Sequence, residues 1–540
     1  MSIIRNIPRR LLELSIAINI ALLIWFLFYR RDTPDGAPAY HVWERRWGVR
    51  EAYSKKLVYQ HAEKEQWQGE QEQEAGSDLV DRAVVGSGCE MCAMDPVLCQ
   101  ELGRRNLERS LLFSGTGTRF QRMLSKLKRG ERLVAGVLGG SVSKGHGINS
   151  LPSYGPDQST NLNRIVFDRL NYLFPAPNGV VNDKSGREEG KNSYINGAQG
   201  GVGSDYFSLC YGEHISEDVD VVFVDLAIND EALVKNIDSY ELLVRSLLDL
   251  PNKPAILNLD VFALMFKTVT NGGDMHSGIA QFYDIPTVSL RNALYHQVLA
   301  NASLIPELFI IKEDGEVDTR HLGVKGHNLL GRIGAAYVDS QVCEMEKYEA
   351  SFHQPEQLSL DELYPIAPLP RMQLNQKYDN TTNLLQITPQ CFSATALHHP
   401  LSPIPSSSTL GLSGWHPWAW ADKKYLVSTT PGGRVAFELE TRLGRIEMHY
   451  LRSKVFGLGS VRCWVDGDGD GEEGGGVRLD GYWNEKFNIG RNIAFHPLLL
   501  RATTIKTGLS PGKHILTCEH LNETKDPKGG KEFRLISVMR

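Results

Sequence analysis

Four continuous apolar segments, spaced through residues 133–290, constrain this chain more than any other feature. They are LVAGVLG (133–139), VDVVFVDLA (219–227), PAILNLDVF (254–262) and IPTVSL (285–290), and amphipathic stretches such as NRIVFDRLNYLF and SYELLVRSLLDL lie between them. Strands with one wet face alternate apolar and polar residues, and these do not. They therefore need cover on both faces, which the intervening helices supply. The pattern predicts a doubly wound, flavodoxin-like parallel α/β sheet over residues 107–345, with any site at the carboxyl ends of its strands.

A Pro-rich stretch at 346–375 reads as a linker. Beyond it, over 376–540, short alternating runs separated by turn residues take over: RVAFELE (434–440), RIEMHYL (445–451), SVRCWV (460–465), KHILTCEHL (513–521) and EFRLISVM (532–539). They predict an antiparallel β-sandwich. Cys463 and Cys518 fall on two of these strands and form a candidate disulfide pair.

The N-terminus has a different character. After a basic tail (residues 1–10), LLELSIAINIALLIWFLFY (11–29) is just long enough for a single transmembrane helix, with Glu13 near one end. A cleavable signal peptide is the rival reading, but its best cleavage site, Ala37-Pro38-Ala39, lies beyond the apolar run and two arginines. An uncleaved anchor is therefore expected. Residues 30–106 then form a polar stem and a cysteine-containing lead-in, where the CxxC of Cys89 and Cys92 reads as structural disulfide chemistry. No second cysteine or histidine pair follows at metal-ligand spacing, so neither metal nor other cofactor is expected.

Basic residues flank the span on both sides and leave its orientation open. Eight cysteines, an even number, and the sequons at Asn301, Asn380 and Asn522 favour a lumenal body. The expected topology is a single-pass type II membrane protein in the Golgi or ER, or at the cell surface. A net charge of -6 argues against a general nucleic-acid binder.

The chemistry-bearing residues lie at the ends of the α/β region. Its first strand runs into Gly139-Gly140-Ser141-Val142-Ser143-Lys144-Gly145-His146-Gly147, which matches neither a phosphate-binding loop nor a GxSxG elbow. At the far end stands Asp318-Thr-Arg-His321. A serine nucleophile needs an imidazole base oriented by a carboxylate, and this pair supplies both. Two further segments lie between: Asn196-Gly-Ala-Gln-Gly200-Gly201 and Asp225-Leu-Ala-Ile-Asn229-Asp230. A glycine N–H and an asparagine amide at neighbouring strand ends are suitable donors to a developing oxyanion.

These four segments, in this order over roughly residues 130–340, resemble the blocks of the SGNH (GDSL-like) hydrolase superfamily. The resemblance implies a triad of Ser141, His321 and Asp318. It also implies an oxyanion hole made by the N–H groups of Ser141 and Gly201 and the Asn229 amide. Block I reads Gly-Gly-Ser where Gly-Asp-Ser is usual, and Ala227 replaces a glycine two before Asn229. The GGSVSKGHG form, the YDIPTVSLRNA stretch (283–293), the anchor and the β-rich tail resemble a fungal and algal subset. Some members of that subset are linked to capsule or cell-surface polysaccharide.

The implied activity is a serine esterase acting on acyl, chiefly O-acetyl, esters of glycans through an acyl-enzyme. The same residues serve a glycan O-acetyltransferase, and a catalytically silent glycan-binding scaffold is the reading of another class. The expected partners are the glycan or acyl-ester substrate and, through the anchor, a membrane. Three histidines are possible accessories: His327, which follows Gly326, and His146 and His276. The last two are expected on loops, as ordinary surface residues. The Asp466-Gly-Asp468-Gly-Asp470 run lacks a glutamate at the twelfth position of a calcium loop (Val477) and reads as an acidic hairpin. Trp415, Trp418 and Trp420 are expected to fill the sandwich core.

Overall fold

The computed structural model describes residues 88–540, except 149–158, 183–187, 382–388, 397, 410, 421–422, 442–443, 468–475, 485–498 and 507. The expected basic tail, membrane anchor and most of the stem lie outside the described residues. No helix among those described is long and apolar enough to cross a membrane.

The α/β layer begins earlier than its apolar strands suggest. Three short helices, α1 (Met91–Met94), α2 (Pro96–Leu102) and α3 (Arg104–Ser110), bury Met91, Leu98, Leu102 and Leu107 in its core. Seven strands follow in one sheet: β1 (Leu111–Phe113), β2 (Val134–Gly139), β3 (Val180–Val181), β4 (Asn192–Asn196), β5 (Val221–Asp225), β6 (Ala255–Asp260) and β7 (Thr287–Ser289). Their order is β1-β7-β6-β5-β2-β4-β3, parallel except for the β1 edge. The chain crosses from β2 out to β4 and then back to β5, so the strand order reverses at β2. That is the switch point where crevices open in such sheets.

Alternate strand residues face two separate apolar cores. Ala135, Val137, Val221, Phe223, Leu257 and Leu259 pack against α4 (Thr118–Lys128), α5 (Leu162–Leu173) and a long helix near the end of this layer. Val134, Leu138, Val222, Val224 and Ile256 pack against α6 (Ser204–Cys210), α7 (Val234–Leu248) and α8 (Gly272–Phe282). Burial on both faces is the reason these strands read as unbroken apolar runs. After α9 (Leu290–Ala300) and α10 (Ile305–Leu308), a hairpin of β8 (Phe309–Ile311) and β9 (Val317–Leu322) leads into the long helix, α11 (Val324–Glu349).

Helix α11 runs four residues past the expected domain end. The stretch expected as a linker is also packed: Leu363 and Tyr364 enter the core, and Arg245 donates to the Pro370 carbonyl at 2.8 Å. Prolines there shape a strap along the α/β layer. The CxxC cysteines do not pair with each other. Cys89 bonds Cys343 on α11, and Cys92 bonds Cys99.

The C-terminal part holds two antiparallel sheets. One contains β10 (Cys391–Ser393), β11 (Trp415–Trp420), β12 (Lys423–Ser428), β14 (Ile446–Arg452), β17 (Leu499–Lys506) and β19 (Phe533–Met539). The other contains β13 (Arg434–Thr441), β15 (Ser460–Val465), β16 (Val477–Asp480) and β18 (Gly512–His520). Val435, Phe437, Val461 and Leu516 from one share a core with Met448, Tyr450, Phe533 and Leu535 from the other. Cys463 and Cys518 are cross-strand partners and are bonded. Trp415 is buried in this core, whereas Trp418 is exposed, with the Arg534 guanidinium 4.4 Å from its ring centre. The side chain of Trp420 is not among those described. β15 and β16 pair as a hairpin whose Asp466 is bonded to His514, and the rest of the acidic run lies outside the described residues. The Cys210–Cys391 disulfide ties α6 to β10, and the Tyr206 and His449 rings meet 4.7 Å apart across the same junction.

Candidate active site

The carboxyl ends of β2, β4 and β5 converge with β9. Beyond β2 the chain turns tightly, with the His146 N–H donating to the Ser141 carbonyl at 2.9 Å. Gly147, at φ +107°, lets this turn lie against β9, since a Cβ there would sit 2.3 Å from the Leu322 carbonyl oxygen. The Ser141 turn and the strand that carries His321 are thereby pressed together.

In a straight strand, residues three apart point to opposite faces. Asp318 and His321 nevertheless converge, because β9 is bulged. Phe309 pairs with Leu322, and the next residue, Ile310, pairs with Asp318, leaving 319–321 outside the ladder. The Leu264 N–H holds the bulge by donating to the Thr319 carbonyl at 2.8 Å. The outcome is a line of three groups. Ser141 Oγ lies 2.9 Å from His321 Nε2, and His321 Nδ1 lies 2.8 Å from Asp318 Oδ2. Asp318 Oδ1 accepts the Arg320 N–H at 3.0 Å. Burial pushes the Asp318 carboxyl up, but its bond to His321, the His321 charge, the Arg320 N–H and the Arg320 charge outweigh it and hold the group at about 2. It is an anion throughout the neutral range.

The expected oxyanion donors lie around Ser141. Asn229 folds over Gly140, where a Cβ would fall 2.0 Å from Asn229 Oδ1. The Gly200–Gly201 turn, with Gly201 at φ +80°, packs so that a Cβ on Gly200 would be 3.8 Å from that of Ser141. Ala227, the departure from the block III pattern, is fully buried towards Gly273 on α8. Gly140→Ala is therefore expected to displace Asn229 and lower kcat by roughly 10²-fold, the cost of one oxyanion donor. Steady-state kinetics should give the same loss for Asn229→Ala, and the double variant should be little worse than either single one.

The accessory histidines separate. The His146 ring stands edge-on to His321, with centroids 4.2 Å apart. Burial and the neighbouring His321 push its pKa down to about 4, against the pull of Asp318. His327 is fully buried on α11, its Nδ1 accepting the Leu162 N–H at 3.2 Å, so it holds the start of α5. His276 is neither on a loop nor at the surface. It is buried on α8, 2.8 Å from Asp230 Oδ2 and stacked on Tyr240. Asp230 in turn accepts the Ser204 N–H at 2.9 Å, so this histidine braces the loops around the site. Asn301, Asn380 and Asn522 are all exposed.

A buried polar cage behind Ser141 escaped the sequence reading. Ser143 Oγ donates to Asp225 Oδ2 at 2.7 Å and accepts from Asn163 at 2.9 Å, while its carbonyl accepts from Asn161 and Asn196 at 2.8 and 3.0 Å. The signal available was polar residues at strand ends, Asn196 on β4 and Asp225 on β5. Full burial raises the Asp225 carboxyl to about 7, against the opposing bond from Ser143. A raised acid costs the fold progressively as pH climbs from the unfolded value, about 4, through the folded one. Asp225→Asn is expected to raise the melting temperature most above pH 7, with the gain shrinking towards pH 4. Calorimetry across that range checks this.

On the β4 side, Gln199 donates its N–H to the Gly139 carbonyl at 2.9 Å, and its side chain lies 3.4 Å from His214 Nδ1. His214 Nε2 is 2.9 Å from the Tyr206 hydroxyl, which connects the glycine turn to the junction with the β sheets.

No protein-family model and no curated protein matches this chain. Among solved structures, a two-domain esterase active on acetylated mannans, co-crystallised with mannopentaose, is 21% identical with a TM-score of 0.54. The alignment covers 80% of this chain and 97% of that one. The two share a fold. A second crystal structure of an esterase of the same description gives 21% identity, the same coverage and a TM-score of 0.53. An acetyl-xylooligosaccharide esterase from Geobacillus is 20% identical over 39% of this chain and 95% of its own, with a TM-score of 0.28.

Proposed function

We propose that this protein is an SGNH-type serine esterase that removes O-acetyl groups from a glycan. The observation that carries this reading is the continuous Ser141–His321–Asp318 line at the switch point of the sheet. Ser141 Oγ attacks the ester carbonyl as His321 Nε2 takes its proton, and the anionic Asp318 stabilises the imidazolium. The oxyanion rests on the Ser141 and Gly201 N–H groups and the Asn229 amide. Collapse of this intermediate releases the sugar hydroxyl, which receives the proton from His321. Water, activated by the same base, then frees acetate from Ser141. The fold shared with the acetyl-mannan esterase supports a glycan substrate.

A lumenal setting belongs to the same proposal, with residues 11–29 as a type II anchor in the Golgi or ER and the cell surface as a further destination. It is supported by eight cysteines joined in four disulfides and by three exposed sequons. The resemblance to polysaccharide-linked fungal and algal proteins fits this setting.

The test is incubation of the purified protein with acetylated mannan, with and without an unacetylated oligosaccharide. Free acetate in both is expected. Acetylated oligosaccharide in excess of acetate would identify a transferase instead. Absence of turnover, together with no fluorophosphonate labelling of Ser141, would leave only a scaffold.

A further inference from the structure

We infer that His146, His321 and Asp318 form a site for a borderline divalent cation, Zn²⁺ above all, and that its occupation reversibly shuts the enzyme off. Each of the three side chains offers one ligand atom, and these atoms all lie within 4.8 Å of one another. The donor set, two imidazoles and one carboxylate, suits zinc or copper and is a poor match for magnesium or calcium, which prefer all-oxygen shells. Tetrahedral zinc with bonds of about 2.0–2.1 Å wants ligand atoms roughly 3.3 Å apart, so small side-chain rotations complete the site. His146 is half-buried on the turn after β2, and His321 belongs to the bulge of β9, outside the strand ladder. His321 already stands against Asp318 through Nδ1 at 2.8 Å, which places one imidazole and the carboxylate side by side. Three protein ligands leave the fourth position to water.

The consequence follows from the chemistry of imidazole. The triad needs one ring nitrogen of His321 with a lone pair directed at Ser141 and the other bearing a proton towards Asp318. A cation on Nε2 takes that lone pair directly. A cation on Nδ1 displaces the proton, so the neutral ring carries its hydrogen on Nε2. In either case Ser141 loses its base, and Asp318 is diverted from orienting the ring. His146 completes the donor set, because its ring supplies the second imidazole at 4.2 Å between centroids. The inhibition depends on the serine-esterase reading above, whereas the binding does not.

The experiment therefore measures both. The chelator-treated full chain is assayed on p-nitrophenyl acetate against ZnCl₂, CaCl₂ and MgCl₂, and Zn²⁺ binding to Ser141→Ala is measured by isothermal titration. Expected are saturable binding of one Zn²⁺ per chain, inhibition by zinc alone, and recovery on adding EDTA. His146→Ala removes one of the three protein ligands and should raise the inhibitory zinc concentration by more than the roughly tenfold that losing an outer-shell partner costs, with zinc binding to the Ser141→Ala protein weakened to the same degree. His146→Gln, which keeps the bulk of the side chain, should behave alike and covers a folding failure of the alanine variant. Binding to Ser141→Ala without any wild-type turnover would keep the site and remove the esterase reading. Zinc activation, binding indifferent to His146, or no 1:1 binding would each overturn the inference.

Discussion

Replacing Ser141 with alanine should lower deacetylation kcat by roughly 10⁴-fold or more while leaving KM for the glycan nearly unchanged. The residual rate is what the oxyanion donors and substrate positioning supply without a nucleophile. The loss should be this large because Ser141 is the only hydroxyl bonded to the His321 base among the described residues; Ser143, two residues on, is committed to Asp225 and Asn163 inside the cage. Stability should hardly move. Ser141 Oγ makes one bond, to the His321 imidazole, and the turn is held by backbone bonds that alanine preserves. A melting temperature within a degree or two of wild type, together with loss of fluorophosphonate labelling, separates a chemical defect from a folding one. Comparable turnover in Ser141→Ala would remove the esterase reading entirely.

The residues legible in the sequence were those whose environment imposes a simple pattern. β2, β5 and β6 are buried on both faces, and only unbroken apolar runs satisfy that. β4 (NSYIN) was missed because its asparagines hold loops: Asn192 accepts the Leu133 N–H at 2.9 Å, and Asn196 donates to Ser143. Polar residues serving neighbours inside a strand erase its hydrophobic signature. His276, expected on a loop, lies on a helix that opens with two glycines. Packing requires them: a Cβ on Gly272 would lie 2.4 Å from that of Asp230, and one on Gly273 would lie 2.8 Å from Asp260 Oδ2. An Asn271/Asp274 capping box restores the helix start that glycine weakens. The Cys89 partner lies 254 residues away, a pairing fixed by the docking of α1 on α11. Ser141, Asp318 and His321 stand out through the ordered segments that resemble the SGNH blocks, and the structure brings their side chains into one line. The bulge that makes this line geometrically feasible was not legible, since nothing in Val-Asp-Thr-Arg-His-Leu marks a break in strand pairing.

Asp318→Asn tests that bulge and the electrostatics together, with an expected fall in kcat of roughly 10⁴-fold. Asparagine keeps the size of the side chain but brings no charge for the imidazolium, and its amide favours the wrong tautomer of His321. The loss should appear in kcat, with KM little changed, because Asp318 reaches the reacting atoms only through the ring. The low carboxyl pKa, about 2, adds a prediction about pH. A depressed acid contributes stability above its unfolded value, about 4, and loses that contribution as pH falls through about 2. The variant should therefore melt below wild type at pH 7, and the difference should close on acidification towards pH 2. Between pH 4 and 9 Asp318 stays ionised, so the wild-type rate profile in that range should carry no inflection from it. A variant retaining more than a tenth of wild-type kcat would show that Asp318 merely caps the bulge and that another group orients His321.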